Sequence, residues 1–311
     1  MGANGVSHLT VPDDVYGIKR IVQWLSYVPR HRNAPLPCVA SIDPIRRFVN
    51  FDPPSSPHDP RELLNCFFDA DSFMEVMPEW GRTVITGRAR LGGIPIGAVA
   101  VETRTVAKTI PADPAFASAT MSEESQAGQV WFPDSAFKTA QAIGDMNKEG
   151  LPLIIFANWR GFAGGLRDMY GEVLKYGAYI VDALREYNQP VFVYIPQGGE
   201  LRGGAWVVID SSINPEQMEF YAAEGAKGGL LEPEGIVDIK FRREDLLTAM
   251  RRTIPGGIGD SSEDEIKKKA LMPTFKQLAV HFAALHDTPG VMLHKKAIKD
   301  VVPWRTSREF F

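Results

Sequence analysis

Leu151-Pro152-Leu153-Ile154-Ile155-Phe156-Ala157-Asn158-Trp159-Arg160-Gly161-Phe162-Ala163-Gly164-Gly165 is the stretch that decides the fold. Its first half is a continuous apolar run of strand length, which a strand takes when both faces of its sheet are covered. Its second half is a glycine-rich turn. Residues 167–187 then carry Met169, Val173, Tyr176, Ile180 and Leu184 on one helical stripe. The order recurs downstream: residues 190–195 form a second apolar run, a second glycine-rich loop follows, and 205–209 are apolar again. Residues 218–223 are expected to open a short helix, and 236–241 to give one more strand. Strand, glycine loop and helix in alternation specify an α/β fold, with stacked sheets backed by helices.

Working outward, residues 83–86 and 97–102 flank Leu91-Gly92-Gly93-Ile94-Pro95 and form a β-hairpin with that turn as its corner. Residues 135–147 place Ala136, Thr139, Ala140 and Ile143 at helical spacing. Residues 13–28 form one amphipathic helix: Asp13 and Asp14 suit its positive end, and Ile18, Ile21, Val22 and Leu25 share a face. Seven prolines from Pro35 to Pro60 mark an extended crossing and place the domain boundary, 1–34 on one side and 35–311 on the other. From Arg251 the tail (251–311) is polar and then helical. Acids precede bases through 261–269, as on a solvated helix.

The 311 residues hold 34 Lys and Arg against 38 Asp and Glu, a formal net charge of −4. That balance excludes a broadly basic nucleic-acid surface. With 44% apolar and 23% charged residues, the usage is ordinary for a globular chain with a sizeable core. Cys38 and Cys66 make no disulfide framework, so a reducing, cytoplasmic setting is expected; Cys66, before Phe67 and Phe68, reads as core. The start, MGANGVSHLT, has no signal-peptide pattern and no Ser or Thr at the myristoylation position. No apolar run reaches the ~18 residues of a membrane span. None of the six histidines forms a helical metal-binding pair with an acid between, so no metal is expected. No Gly-x-Ser-x-Gly elbow occurs.

The two glycine loops carry the candidate chemistry. In Asn158-Trp159-Arg160-Gly161-Phe162-Ala163-Gly164-Gly165, unpaired N–H groups precede a helix, and Arg160 supplies a planar cation able to grip a carboxylate. Gly198-Gly199-Glu200-Leu201-Arg202-Gly203-Gly204-Ala205 repeats the arrangement after its own strand. Two sets of N–H donors meet the requirement of an enolate-forming acyl transfer, which develops two oxyanions. Neither loop is a P-loop or a dinucleotide fingerprint. The plainer alternative is two tight turns, glycine-rich for geometry alone. Glu232, amid apolar residues in Leu230-Leu231-Glu232-Pro233-Glu234-Gly235, is a further candidate. Trp131 is either core or a pocket wall.

These residues resemble the carboxyltransferase domain of eukaryotic multidomain acetyl-CoA carboxylases. The likeness rests on Asn158–Gly165, on Glu200-Leu201-Arg202-Gly203-Gly204-Ala205-Trp206-Val207-Val208, on Leu231-Glu232-Pro233-Glu234-Gly235, on Gly87-Arg88-Ala89-Arg90-Leu91-Gly92-Gly93-Ile94-Pro95 and on the run from Gly128 to Thr139. Trp131-Phe132-Pro133-Asp134 and Ile209-Asp210-Ser211-Ser212-Ile213-Asn214-Pro215 look most like the animal enzymes. The Trp-Arg-Gly-Phe element, with its Arg160, is what sets this family apart from propionyl-CoA-type carboxyltransferases.

The resemblance implies a crotonase-superfamily lobe (35–311) preceded by the remnant end of an amino-terminal lobe (1–34). It implies transfer of a carboxyl group from carboxybiotin, held on a separate carrier domain, to acetyl-CoA, giving malonyl-CoA for fatty acid synthesis. By the same resemblance, the biotin ureido nitrogen would act as the base. Arg160 would orient the carboxylate, the N–H groups of Gly164 and Gly204 would stabilise the two oxyanions, and Trp131, Phe162, Gly203 and Glu232 would line the pocket. Partners implied are the biotin carrier domain, the amino-terminal lobe and a head-to-tail homodimer. Against the family pattern, most of the amino-terminal lobe with its coenzyme A surface and the biotin carboxylase and carrier domains are expected to be missing. The segment before Cys66 is shorter, residues 254–269 replace a helical insertion, and relatives continue beyond Phe311. Little turnover is therefore expected of the chain alone. The alternative is a non-catalytic interaction module that pairs with a full-length carboxylase, and a weaker third is a biotin-independent hydratase or isomerase.

Overall fold

The computed structural model describes residues 1–31, 34–41, 43–254, 258–259 and 261–311. Helix α1 (Asp14–Leu25) starts where the Asp13 carboxylate accepts a hydrogen bond from Tyr16 N–H. Its apolar stripe is present but faces outward: none of its residues is buried, and Ile18, Ile21, Val22 and Leu25 are 52–63% exposed. Helix α2 (Pro60–Phe67) follows the proline-rich crossing, capped by Asp59. Strands β1 (Met74–Val76), β2 (Val84–Leu91) and β3 (Ile94–Val101) form an antiparallel meander. The β2–β3 corner needs glycine: Gly93 has φ +82, and a Cβ there would lie 1.9 Å from the Val39 carbonyl oxygen.

A separate hairpin, β4 (Val106–Ile110) and β5 (Ser122–Gln126), precedes β6 (Val130–Trp131) and α3 (Pro133–Lys148). Then come β7 (Leu153–Phe156), β8 (Gly161–Phe162), α4 (Leu166–Tyr170), α5 (Val173–Arg185), β9 (Val191–Ile195), β10 (Glu200–Arg202) and α6 (Gly203–Trp206). The chain continues through β11 (Met218–Ala222), β12 (Lys227–Gly229), α7 (Pro233–Lys240), α8 (Arg243–Thr253) and α9 (Ser262–Ala284). It ends with α10 (Pro289–His294), β13 (Asp300–Val301) and α11 (Ser307–Phe310).

Among the described residues, seven strands make the main sheet, in the order β1-β2-β3-β7-β9-β11-β13, and every pairing from β3 to β13 is parallel. Strand alternation feeds two cores. Leu153 and Ile155 join Ile143, Met146, Ile180 and Leu184 beneath α3 and α5. Ile154 and Phe156 join Leu64, Phe67 and Trp304 on the opposite face. Both faces of β7 are thus covered, which is why its sequence is apolar throughout. Cys66 packs at the edge of the second core, half-buried.

The structure corrects four local expectations. The helix read over 167–187 is two helices, because Gly171 approaches Pro133 closely and Glu172 adopts φ +65. Residues 218–222 are a strand, with Met218, Phe220 and Ala222 in one core and Tyr221 in the other. Residues 236–240 belong to α7, where Pro233 occupies the first turn and Val237 packs on Ala279 and Ala283 of α9, and Phe241 follows its end. The tail is solvated only in part: from Asp300 it returns to the sheet, and fully buried Arg308 donates to the Phe67 carbonyl and, at 2.9 Å, to Asp69. Of the segment read as replacing a helical insertion, residues 255–257 and 260 lie outside the described residues, as do 32 and 33 at the proposed domain boundary.

Candidate active site

The site forms where β7 and β9 end, at the carboxyl edge of the parallel strands, where open α/β sheets gather their ligands. Beyond β7 the chain runs through Asn158, Trp159 and Arg160 into β8, which pairs in parallel with β6. Arg160 N–H donates to Gln129 O and Ala163 N–H to Trp131 O, both at 2.8 Å. Beyond β9 the second loop enters β10, which pairs in parallel with β12, and Arg202 N–H donates to Trp159 O at 2.9 Å. Asn158 stitches the loops together: its Oδ1 accepts from Gln129 Nε2 at 2.6 Å and from Glu200 N–H at 2.9 Å.

Arg160 stands at the surface of this junction. Its Nε donates to Glu200 Oε1 at 2.5 Å, and Glu232 Oε1 lies 3.7 Å away. Glu232 is the residue before α7 and is half-exposed. Glu200 Oε2 accepts from Arg202 Nη2 at 3.0 Å, and Arg202 Nη1 donates to Asp287 Oδ2 at 2.5 Å. Burial disfavours the Arg202 charge, but the hydrogen bonds and charges of Asp287 and Glu200 outweigh it and hold its pKa above the usual arginine value.

Gly164 and Gly204 share a property that the other loop glycines of this junction do not combine. A Cβ at either would meet nothing within 4 Å. Among the described residues, neither N–H has a hydrogen-bond acceptor. An N–H without an acceptor is a donor available to a developing oxyanion. The helices that follow are short, five residues for α4 and four for α6. The expectation of a long helix behind Gly164 is therefore replaced by two individually free N–H groups. Gly203 differs: its N–H donates to Leu230 O at 3.1 Å, and it lines an apolar cleft of ≈ 760 Å³ beside Trp206, Leu230 and Leu231.

Trp131 has no exposed surface. It lies between Trp159 (ring centroids 4.0 Å apart) and Phe162 (5.0 Å), and its Nε1 donates to Thr139 Oγ1 at 3.2 Å. The stack holds the Arg160 loop from behind, with half-buried Phe162 as its outer ring. Arg160, Phe162, Gly203, Gly204 and Glu232 thus gather at one junction, with Gly164 two residues beyond Phe162 and Trp131 beneath. Glu200, Arg202, Asn158 and Asp287 were not assigned roles from sequence. Three of them stand inside the quoted loops, and for Asn158 its place directly after the apolar run was the available signal. Asp287 gave none. No group of three or more potential metal ligands occurs among the described residues.

The carboxyl transferase domain family matches residues 1–311, and the chain belongs to that family. Within it, the chain is homologous to the carboxyltransferase region of acetyl-CoA carboxylase, a biotin-dependent carboxylase. It is 51% identical over 339 residues to acetyl-CoA carboxylase of Schizosaccharomyces pombe, covering 100% of this chain and 15% of the relative. The Dictyostelium discoideum enzyme is 49% identical over 348 residues (100% and 15%), and acetyl-CoA carboxylase 2 of Arabidopsis thaliana 50% over 341 (100% and 14%). The chain therefore spans about 15% of the length of these curated relatives.

Solved structures share the fold. Transcarboxylase 12S, solved with methylmalonyl-coenzyme A and methylmalonic acid bound, superposes with a TM-score of 0.74 at 17% identity, over 97% of this chain and 51% of its own. A single-chain, multi-domain long-chain acyl-CoA carboxylase gives 0.70 at 17% identity, over 99% and 26%.

Proposed function

We propose that this chain is the carboxyl-terminal lobe of an acetyl-CoA carboxylase carboxyltransferase, serving transfer of a carboxyl group from carboxybiotin to acetyl-CoA in the cytoplasm. The observation that carries the reading is the pair of free N–H groups at Gly164 and Gly204, one in each glycine loop, together with the exposed Arg160 of the first loop. Carboxybiotin, presented by a carrier domain, would supply the carboxyl group and the basic ureido nitrogen. The chain's own residues fit that use. Gly204 N–H would hold one oxygen as it gains charge, Gly164 N–H the thioester oxygen of the enolate, and the Arg160 guanidinium would align the carboxylate. Each such donor contributes about 10²- to 10³-fold in rate. Gly203 borders the apolar cleft, Glu232 lies 3.7 Å from Arg160, and the Trp131–Phe162 stack fixes the loop that carries Arg160.

The coenzyme A surface and the second half of the site are assigned to an amino-terminal lobe, in a head-to-tail dimer. Apolar surface left uncovered supports this assignment: the whole stripe of α1, together with Leu166, Tyr170, Leu174, Val207 and Leu230 around the site, is more than half exposed. The same surface is the observation that favours a non-catalytic interaction module as second reading. Mixing the chain with the amino-terminal lobe of the fungal relative separates the two. Biotin-dependent loss of malonyl-CoA from the mixture supports the catalytic reading; complex formation without it supports the module.

A further inference from the structure

Arg160 has two carboxylate neighbours, and they are held very differently. Glu200 accepts from Arg160 Nε with one oxygen and from Nε (3.1 Å) and Nη2 (3.0 Å) of Arg202 with the other. Arg202 also donates to Leu231 O at 3.2 Å and to Asp287, and both Arg202 and Asp287 are only 4% exposed. The backbone of Glu200 is fixed in turn by Asn158. Glu232 has no such anchor: its side chain is 46% exposed, makes no helix-capping bond and sits 3.7 Å from Arg160. Among the described residues, the only hydrogen bond of the Arg160 guanidinium uses Nε, so both terminal nitrogens lack a partner.

A guanidinium is planar, so fixing its Nε–H fixes the direction of the Nη1–Nη2 edge, the edge that takes a carboxylate in bidentate fashion. Orienting it in advance reduces the rotamer entropy lost when the ligand arrives. The junction holds three carboxylates (Glu200, Glu232, Asp287) against two guanidiniums (Arg160, Arg202). An incoming carboxylate adds to that negative excess unless one resident carboxylate withdraws. Glu232 is the exposed, weakly held one.

We propose that Glu200 is a positioning residue that holds Arg160 by its Nε and aims the free Nη edge at the carboxylate being transferred, while Glu232 is the counterion that this carboxylate displaces. The proposal deepens the functional reading above and rests on Arg160 as the carboxylate-gripping group.

Malonate, the simplest dicarboxylate bearing the group in question, is the probe. Its affinity for the full chain is measured by calorimetry, and the Arg160 Nε–H resonance is followed by NMR. In Glu200→Gln the amide oxygen serves buried Arg202, and the amide nitrogen, a donor, faces Arg160 and releases it. Malonate binding then weakens about tenfold and the Nε–H resonance shifts or exchanges away. In Glu232→Gln the resonance stays and malonate binds about threefold tighter, because a competing charge is gone. Opposite signs from two neighbouring carboxylates are not produced by general damage to the fold. Glu200→Gln that binds malonate at wild-type strength with an unshifted resonance overturns the proposal. So does loss of the wild-type Nε–H signal in saturating malonate, a result that needs no variant to fold. Arg160→Ala binding malonate as well as wild type removes the functional reading, and this inference with it.

Discussion

Nη1 of Arg202 donates to Oδ2 of Asp287 at 2.5 Å, and the two residues lie 85 positions apart with side chains 4% and 5% exposed. The pair ties the second glycine loop to the turn after α9. Removing one partner of a buried pair leaves the other charge unpaired in a poor solvent, at a cost of about 3–5 kcal/mol. Arg202→Ala is therefore expected to lower the urea midpoint sharply. An exposed pair such as Lys299–Glu219 is the control, where Lys299→Ala costs about 0–1 kcal/mol.

Adjacent glycines at the start of α6 respond oppositely to alanine. A Cβ at Gly203 would sit 2.7 Å from both the Leu230 carbonyl oxygen and Leu230 Cδ1, whereas at Gly204 it meets nothing within 4 Å. Gly203→Ala is expected to destabilise the chain by about 1–3 kcal/mol through overpacking against backbone. Gly204→Ala is expected to unfold like wild type yet to crowd the space in front of its free N–H. Chemical denaturation of the two variants side by side checks the contrast.

Arg160→Ala should leave stability nearly untouched. The side chain is 53% exposed, and ion pairs in that setting contribute about 0–1 kcal/mol. Melting temperature is the readout. A large fall would mean that Arg160 holds the loops together, a task the structure gives to Asn158 and Arg202.

Lys138 gives a pH signature. Its ammonium is fully buried in α3 and donates to the carbonyls of Met77 (2.8 Å), Trp80 (2.9 Å) and Val84 (2.7 Å). Burial pulls its pKa from 10.5 to about 7, with the Glu75 charge opposing. Between about 7 and 10.5 the unfolded chain thus binds more protons than the folded one. The contribution of this group to stability rises with pH across that window and is lost as pH falls through about 7. The urea midpoints of wild type and Lys138→Met, compared at pH 7 and pH 9, should diverge in favour of wild type at the higher pH.

What the sequence displayed and what it hid have physical causes. Residues 153–156 are unbroken apolar because both faces of β7 are buried, and a pattern of that kind survives any register. Residues 218–222 were misread because Glu219 and the aromatic neighbours mimic a helical stripe over so few positions, and only the pairing with β9 decides for a strand. Residues 236–241 alternate like a strand, yet Pro233 and the packing on α9 make 236–240 helical. The α1 stripe was legible, but what covers it was not. In the site, the glycines and Arg160 announced themselves as loop residues after buried strands. The Glu200–Arg202–Asp287 chain did not, because its last member is brought in by tertiary folding alone.

In the proposed transfer, this half of the site carries the groups that handle the carboxylate. Release of acetyl-CoA from malonyl-CoA in the presence of biotin tests it most directly, measured for wild type and Arg160→Ala, each alone and each with the amino-terminal lobe added. Little release is expected from either chain alone, release on adding the lobe to wild type, and a loss of about 10²-fold or more with Arg160→Ala. Equal release from wild type and Arg160→Ala in the presence of the lobe would contradict it.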